Sequence, residues 1–196
     1  MNRIGPRYRV TFRRRREGKT DYGQRLKLLK SGKPIFVVRL SLNHVLAQVS
    51  KASSVGDMVL VSSHTRDLEK FGWKGGTSNV SSAYLVGLLC GVRALKAGVN
   101  ECVLDIDNYN PVKGSKIFAV LKGALDAGLK IPHDEAVLPD ESRIRGKHIA
   151  DYAEELKQSS PDVYQARFSK YISRGLPPEQ LQEHFDVVKQ SIQGGG

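Results

Sequence analysis

Two periodicities take turns along the middle of the chain. Ile35–Leu40, Val45–Val49 and Met58–Ser62 are short apolar-rich runs separated by Ser41-Leu42-Asn43 and by Ser53-Ser54-Val55-Gly56-Asp57, the pattern of strands joined by turns. Three such runs in succession predict an antiparallel meander. A loop through Phe71-Gly72-Trp73-Lys74-Gly75-Gly76 then reaches Thr77, Ser78 and Asn79, each a competent helix N-cap. Leu85, Leu88, Leu89, Val92 and Leu95 recur at helical spacing and the pattern ends near Gly98, predicting the main core helix. Cys102–Ile106 has no alternation and predicts a buried strand in the centre of its sheet, covered on both faces. After a loop with Pro111 and Gly114, residues Ile117, Phe118, Leu121, Ala124 and Leu125 share one helical face that stops at Gly128. The order is β-β-β-α-β-α. A strand, helix and strand returning to one sheet calls for a right-handed crossover, so residues 34–138 are expected to form an α/β core domain with a mixed sheet in a layer fold.

The flanks read differently. Ile144–Leu156, Asp162–Ile172 and Pro178–Ile192 are helical in pattern, interrupted by Ser160-Pro161 and Gly175-Leu176-Pro177-Pro178. They are too thinly apolar to fold alone, so residues 139–196 are expected to be a helical extension packed on the core. At the other end, residues 1–33 form a separate arm. Tyr8, Val10 and Phe12 alternate with Arg7, Arg9, Thr11 and Arg13, and an extended segment would place rings on one side and guanidiniums on the other. Thr20 or Asp21 is placed to cap a short helix whose Leu26, Leu28 and Leu29 would dock on the body.

Charge separates the arm from the rest more sharply than hydropathy does. The first 33 residues hold 12 Lys or Arg and 2 acids, the other 163 hold 19 and 18, so the arm carries +10 of the total +11. A basic arm on a nearly neutral globular body is the footprint of a polyanion binder, and nucleic acid is the commonest polyanion. The run Arg13-Arg14-Arg15-Arg16 lies among Tyr8, Phe12 and Tyr22, a mixture of phosphate-binding and base-stacking groups that suits RNA with unpaired bases. No helix-turn-helix or zinc-finger pattern for duplex DNA is present. The longest apolar stretch, Ala83–Val92, is broken by glycines and is well short of the ~20 residues that span a bilayer; no apolar segment of a secretory signal follows the N-terminal arginines. No membrane is expected as a partner.

Other chemistries fail on spacing. Gly18-Lys19-Thr20 lacks the glycine of a phosphate-binding loop, Arg13 standing in its place. Gly72-Trp73-Lys74-Gly75 matches the short loop of some RNA-clamping domains but is read as a loop, with Lys74 a phosphate contact. Asp105 and Asp107 at a strand end are the one pair that could face a divalent ion; no other strand supplies a central acid, so loop capping is the reading, with a metal-dependent nuclease as the weakest alternative. His44, His64, His133, His148 and His184 are scattered, and Cys90 and Cys102 are read as reduced core residues. No catalytic residue, metal or cofactor is expected.

Several blocks are more specific than composition. Gly5-Pro6-Arg7-Tyr8-Arg9-Val10, Arg13 to Glu17, Thr20-Asp21-Tyr22, Gln24-Arg25-Leu26 and Leu29 to Pro34 closely resemble the opening of the archaeal and eukaryotic form of the universal large-subunit ribosomal protein eighteen family. Ser82 to Leu89, Gly114 to Phe118, Gly123 to Gly128, Ile131-Pro132-His133 and Arg145 to Ala150 continue the likeness in the same order, and the length is most similar to the archaeal form. The resemblance implies a ribonuclease-H-like layer fold without the enzyme's carboxylate set. It also implies a non-catalytic, cytoplasmic constituent of the large ribosomal subunit that anchors 5S rRNA in the central protuberance. The implied partners are 5S rRNA, the large-subunit rRNA and neighbouring large-subunit proteins, including the other 5S rRNA-binding protein, large-subunit protein five; a nonspecific architectural RNA binder is the alternative. The expected phosphate clamps are Arg7, Arg9, Arg13, Arg14, Arg15, Arg16, Lys19 and Arg25, with Arg3, Lys30 and Lys33 on the same arm, and Tyr8, Phe12 and Tyr22 stacking on bases. Asn43, His44, Gln48, Lys74, Lys113 and Lys116 are the body candidates, chosen as turn residues near strand or helix ends. Asp107-Asn108-Tyr109 departs from the family's loop, and no contact is carried over to it.

Overall fold

The computed structural model describes residues 5–195. The chain enters through one helical turn, α1 (Arg13–Arg16), and a longer helix, α2 (Tyr22–Lys30). Asp21 starts α2, its carboxylate accepting the N–H groups of Gly23 and Gln24 at 2.8 and 3.2 Å, which satisfies two of the donors a helix start leaves free. Leu28 and Leu29 are half-buried, whereas Leu26 is 55% exposed and does not dock.

The meander follows as β1 (Ile35–Leu40), β2 (Val45–Lys51) and β3 (Met58–His64), paired antiparallel. A bulge between Val49 and Ser50 shifts the β2–β3 register and lets both ends of β2 stay paired. The inner face of the sheet carries Phe36, Val38, Val45, Ala47, Val49 and Val61, all buried, as the two-residue period of strands dictates. A 3₁₀ segment, Thr65–Phe71, leaves β3 and drops Leu68 into the same core.

The fourth strand, β4 (Val103–Asp105), corrects the expectation of a buried central strand: the order is β3-β2-β1-β4, so β4 is an edge, and all three of its residues are half-buried. It pairs parallel with β1 alone, Val37 opposite Asp105. The run without alternation arises because Cys102 and Leu104 join the core, while Val103 shares the outer face with its partner Ile35. Among the described residues, one further bridge, Glu101 to Lys130, flanks it.

Two helices cover the inner face, α3 (Val80–Lys96) and α4 (Lys116–Asp126). Asn79 caps α3 by accepting the Ser82 N–H at 2.8 Å. The two helices approach backbone to backbone. A Cβ on Gly87 would lie 1.9 Å from the Val120 carbonyl oxygen, and one on Gly123 would lie 2.1 Å from that of Tyr84. The Tyr84 hydroxyl donates to Asp126 at 2.7 Å across the same crossing. The chain closes with α5 (Glu141–Ile144), α6 (Lys147–Ser159), α7 (Pro161–Ser173) and α8 (Leu181–Gly195). Leu181, Phe185, Val188 and Ile192 of α8 are buried in the core, with the Phe185 ring 5.5 Å from that of Tyr84. Cys90 and Cys102 are free and buried; burial pushes the Cys102 thiol up to about 11, leaving it protonated and inert near neutrality.

Gly87→Ala and Gly123→Ala should each lower the urea-unfolding stability by about 1–3 kcal/mol, because backbone on both sides of the crossing cannot yield. Gly194→Ala, whose Cβ would meet nothing within 4 Å, should stay within about 0.5 kcal/mol.

Candidate nucleic-acid interface

Because β1, β3 and β4 run in one direction, their C-terminal ends share one end of the sheet with the turn after β1, the loop after β4 and the starts of α3 and α4. Hydrogen bonds tie these pieces together. The Tyr109 hydroxyl accepts the Leu40 N–H at 3.2 Å and donates to the Leu40 carbonyl at 2.8 Å, fixing the loop after β4 on the end of β1. The Thr77 hydroxyl donates to the Asn43 carbonyl at 2.6 Å, and Lys116 Nζ donates to Ser78 Oγ at 3.3 Å. Two helices start at this end, but their first turns are covered: Ser81 and Ser82 of α3 and Ile117 and Phe118 of α4 are buried, so the charge this end presents to solvent comes from side chains.

The arm reaches the same end. Asn108 Nδ2 donates to the Gly18 carbonyl at 2.6 Å, and Thr20, Gln24, Arg25 and Leu28 line a small cavity with Asp105 and Asp107. Arg25 pairs with Asp57 at 2.7 Å, which raises its pKa through that hydrogen bond, and Lys33 pairs with Glu101. Beyond these anchors the arm is open: Arg7, Tyr8, Arg9, Phe12, Arg13, Arg14, Arg15, Arg16 and Lys30 are all exposed. Arg13 and Lys19 share Glu17, each at 2.9 Å, and Arg14 Nε donates to Thr20 Oγ1 at 2.8 Å. Residues 7–12 belong to no strand of the sheet. Tyr8 and Phe12 are 55% and 71% exposed, and the Phe12 ring lies 5.2 Å from that of Tyr22. Arg3 lies outside the described residues.

Of the body candidates, Asn43, Lys74 and Lys113 are exposed at this end, and Lys116 is half-buried at the first position of α4. His44 is partly covered, Nδ1 2.9 Å from Thr65 Oγ1 and its ring 4.8 Å from that of His64. Gln48 lies inside β2, not in a turn; its register with Val37 and Ser62 sets it on the outer sheet face, Nε2 donating to Ser62 Oγ at 3.4 Å. The candidates brought together are therefore the arm and the rim of the sheet, with Gln48 a few residues down the outer face.

Sequence reasoning missed Arg39. Its guanidinium reaches Asp105 Oδ2 at 2.9 Å and Asp107 Oδ2 at 3.4 Å, so the two carboxylates hold an arginine on the outer sheet face. No group of three or more His, Cys, Asp and Glu able to hold a metal ion occurs among the described residues. Asp107 adopts φ 57°, a conformation that disfavours most side chains but that Asp tolerates; the Asp105 carboxylate stabilises it by accepting its N–H at 2.9 Å.

A family model described as "Ribosomal large subunit proteins 60S L5, and 50S L18" matches residues 6–101 and 95–134. The chain belongs to this uL18 family of large-subunit ribosomal proteins. It is 56% identical over 188 residues, 96% of either chain, to "Large ribosomal subunit protein uL18" of Methanothermobacter thermautotrophicus. Membership makes the protein a structural, non-catalytic constituent of the large ribosomal subunit in the cytoplasm. No helix among the described residues is long and apolar enough to cross a membrane.

Two histidines near the interface act as neutral acceptors. His64 Nδ1 accepts the Arg66 N–H at 3.1 Å and His184 Nε2 accepts the Lys74 N–H at 3.1 Å. Burial lowers both pKa values below the ordinary 6.5, helped by His44 and Arg66 for His64 and by Lys74 for His184. A depressed histidine disfavours protons in the folded state, so its stabilisation is complete above pH ~6.5 and is lost as pH falls below that value. NMR titration should place both imidazoles below 6.5, and unfolding measurements should show stability declining as pH falls through 6.5, less steeply in His184→Gln.

Proposed function

We propose that this protein binds 5S rRNA and attaches it to the large-subunit rRNA in the central protuberance, beside the other 5S rRNA-binding protein of the subunit, large-subunit protein five. The observation that carries the reading is the convergence at one end of the sheet: the exposed guanidiniums of residues 7–16 and the lysines Lys74, Lys113 and Lys116. Membership of the uL18 family supports the choice of a ribosomal RNA. The arm supplies phosphate contacts, and since an Arg fork can grip two phosphate oxygens at once, Lys is a poor replacement there. Tyr8, Phe12 and Tyr22 supply stacking faces for unpaired bases. Arg39, held in place by Asp105 and Asp107, is preorganised on the face the RNA would meet.

Deleting residues 1–19 removes eight Lys or Arg. The body should remain folded by circular dichroism, while 5S rRNA affinity falls and the slope of log K against log salt flattens by up to about 0.7–0.9 per lost phosphate contact. Unchanged affinity and slope would refute the arm's role. Titration of the full chain against 5S rRNA and an equally long unrelated structured RNA, at two salt concentrations, tests specificity. A preference of tens-fold that survives the higher salt is expected; equal binding that vanishes with salt would reduce the protein to a nonspecific tether.

A further inference from the structure

The loop Gly72–Asn79 is held from outside by the C-terminal helices. Three of its backbone groups end on three side chains of that region. Lys74 N–H donates to His184 Nε2 at 3.1 Å, Gly76 N–H donates to the Tyr171 hydroxyl oxygen at 3.1 Å, and the Gly75 carbonyl accepts from Arg174 Nη1 at 2.9 Å. The Tyr171 oxygen also lies 3.4 Å from Asn79 Nδ2, the side chain that caps α3. The His184 ring stacks on Trp73 with centroids 5.3 Å apart and planes 23° apart, and Trp73 Nε1 donates to the Gly76 carbonyl at 3.1 Å. Neither glycine leaves slack: a Cβ on Gly75 would lie 2.5 Å from Trp73 Cζ2, and one on Gly76 would lie 3.0 Å from the Tyr171 oxygen.

This loop carries Lys74, and through Thr77 and Ser78 it touches the Asn43 carbonyl and Lys116. The chain of contacts therefore runs from α7 and α8, through the loop, to the rim of the sheet. A loop between a 3₁₀ segment and a helix ordinarily samples more conformations than the elements it joins. Here its backbone polar groups are satisfied by side chains more than 90 residues away in sequence. We infer that Tyr171, Arg174 and His184 are positioning residues for RNA binding, which fix the Gly72–Asn79 loop so that Lys74 and the Asn43 turn meet the RNA without further ordering. The inference rests on the proposed RNA-binding reading of this rim. Preorganisation of this kind acts by removing the entropy cost of ordering a loop on binding, so the clamp residues raise affinity without touching the ligand.

Tyr171→Phe keeps the ring and removes the oxygen that meets Gly76 and Asn79. In the full chain it should speed hydrogen exchange of the Gly76 amide by about tenfold and weaken 5S rRNA binding by about 3- to 10-fold, the scale of one lost hydrogen bond. His184→Leu should act in the same way on the Lys74 amide, while His184→Gln, which keeps an acceptor, should restore much of the protection. In a Lys74→Ala/Asn43→Ala background Tyr171→Phe should add little further loss of affinity, because the side chains that it positions are gone. Unchanged exchange at Gly76 would overturn the clamp. Equal losses of affinity in the two backgrounds, or faster exchange with unchanged affinity, would overturn positioning. A Lys74→Ala/Asn43→Ala protein that binds 5S rRNA as the parent does would instead refute RNA contact at this rim, and the inference with it.

Discussion

The parallel pairing of β1 with β4 is the constraint from which the rest of the arrangement follows. An antiparallel meander alone can be closed by tight turns, but a strand laid parallel to β1 must be reached by a crossover, and α3 makes that crossing over the inner face. The crossing sets α3 and then α4 running away from the same end of the sheet, so both helix N-termini, the turn after β1 and the loop after β4 meet there. Tyr109, bonded to both the N–H and the carbonyl of Leu40, ties the loop to the last residue of β1. The close glycine contact of α3 with α4 belongs to the same constraint: two helices over a narrow four-stranded sheet must share the inner face, and Gly87 and Gly123 let them do so at backbone distance.

Electrostatics divides the basic residues into two populations. Arg25, Lys33, Arg39, Arg93 and Arg145 each pair with a carboxylate of the body, and these ion pairs position the chain; exposed pairs of this kind add little stability by themselves. Arg7, Arg9, Arg15 and Arg16 make no salt bridge among the described residues and remain exposed. Their mutual repulsion on a short segment is unfavourable until a polyanion supplies the counter-charge. The acids Asp57 and Glu101 and the amide of Asn108 thus hold the root of the arm against the body, while its charged tip stays available.

Local pattern made much of this visible in advance. β1 matches its predicted span, the capping roles of Asp21 and Asn79 follow from residue type and position, and the two core helices follow from their apolar period and their terminal glycines. What escaped was set by distant partners. Cys102–Ile106 reads as a central strand because apolar runs do not reveal whether a neighbour exists on the far side. Arg39 looks like any polar position in a strand until Asp105 and Asp107 arrive from 66 and 68 residues further on. His184, Tyr171 and Arg174 carry no local signal at all, since each is an ordinary residue of a helical pattern or its end.

The C-terminal helices therefore have two physical roles that composition alone does not separate. Their apolar faces complete the core, as Phe185 against Tyr84 shows, and that role is legible from periodicity. Their polar groups meet the backbone of a loop that no strand or helix could satisfy. Backbone N–H and C=O groups in such a loop have to find partners, and water would serve equally well for stability. Side chains differ from water in fixing one geometry. The use of His184, Tyr171 and Arg174 in place of solvent thus selects a single loop conformation at the rim where the basic residues gather. A helical addition whose apolar content only serves to cover a core would not need to place three polar side chains on one loop.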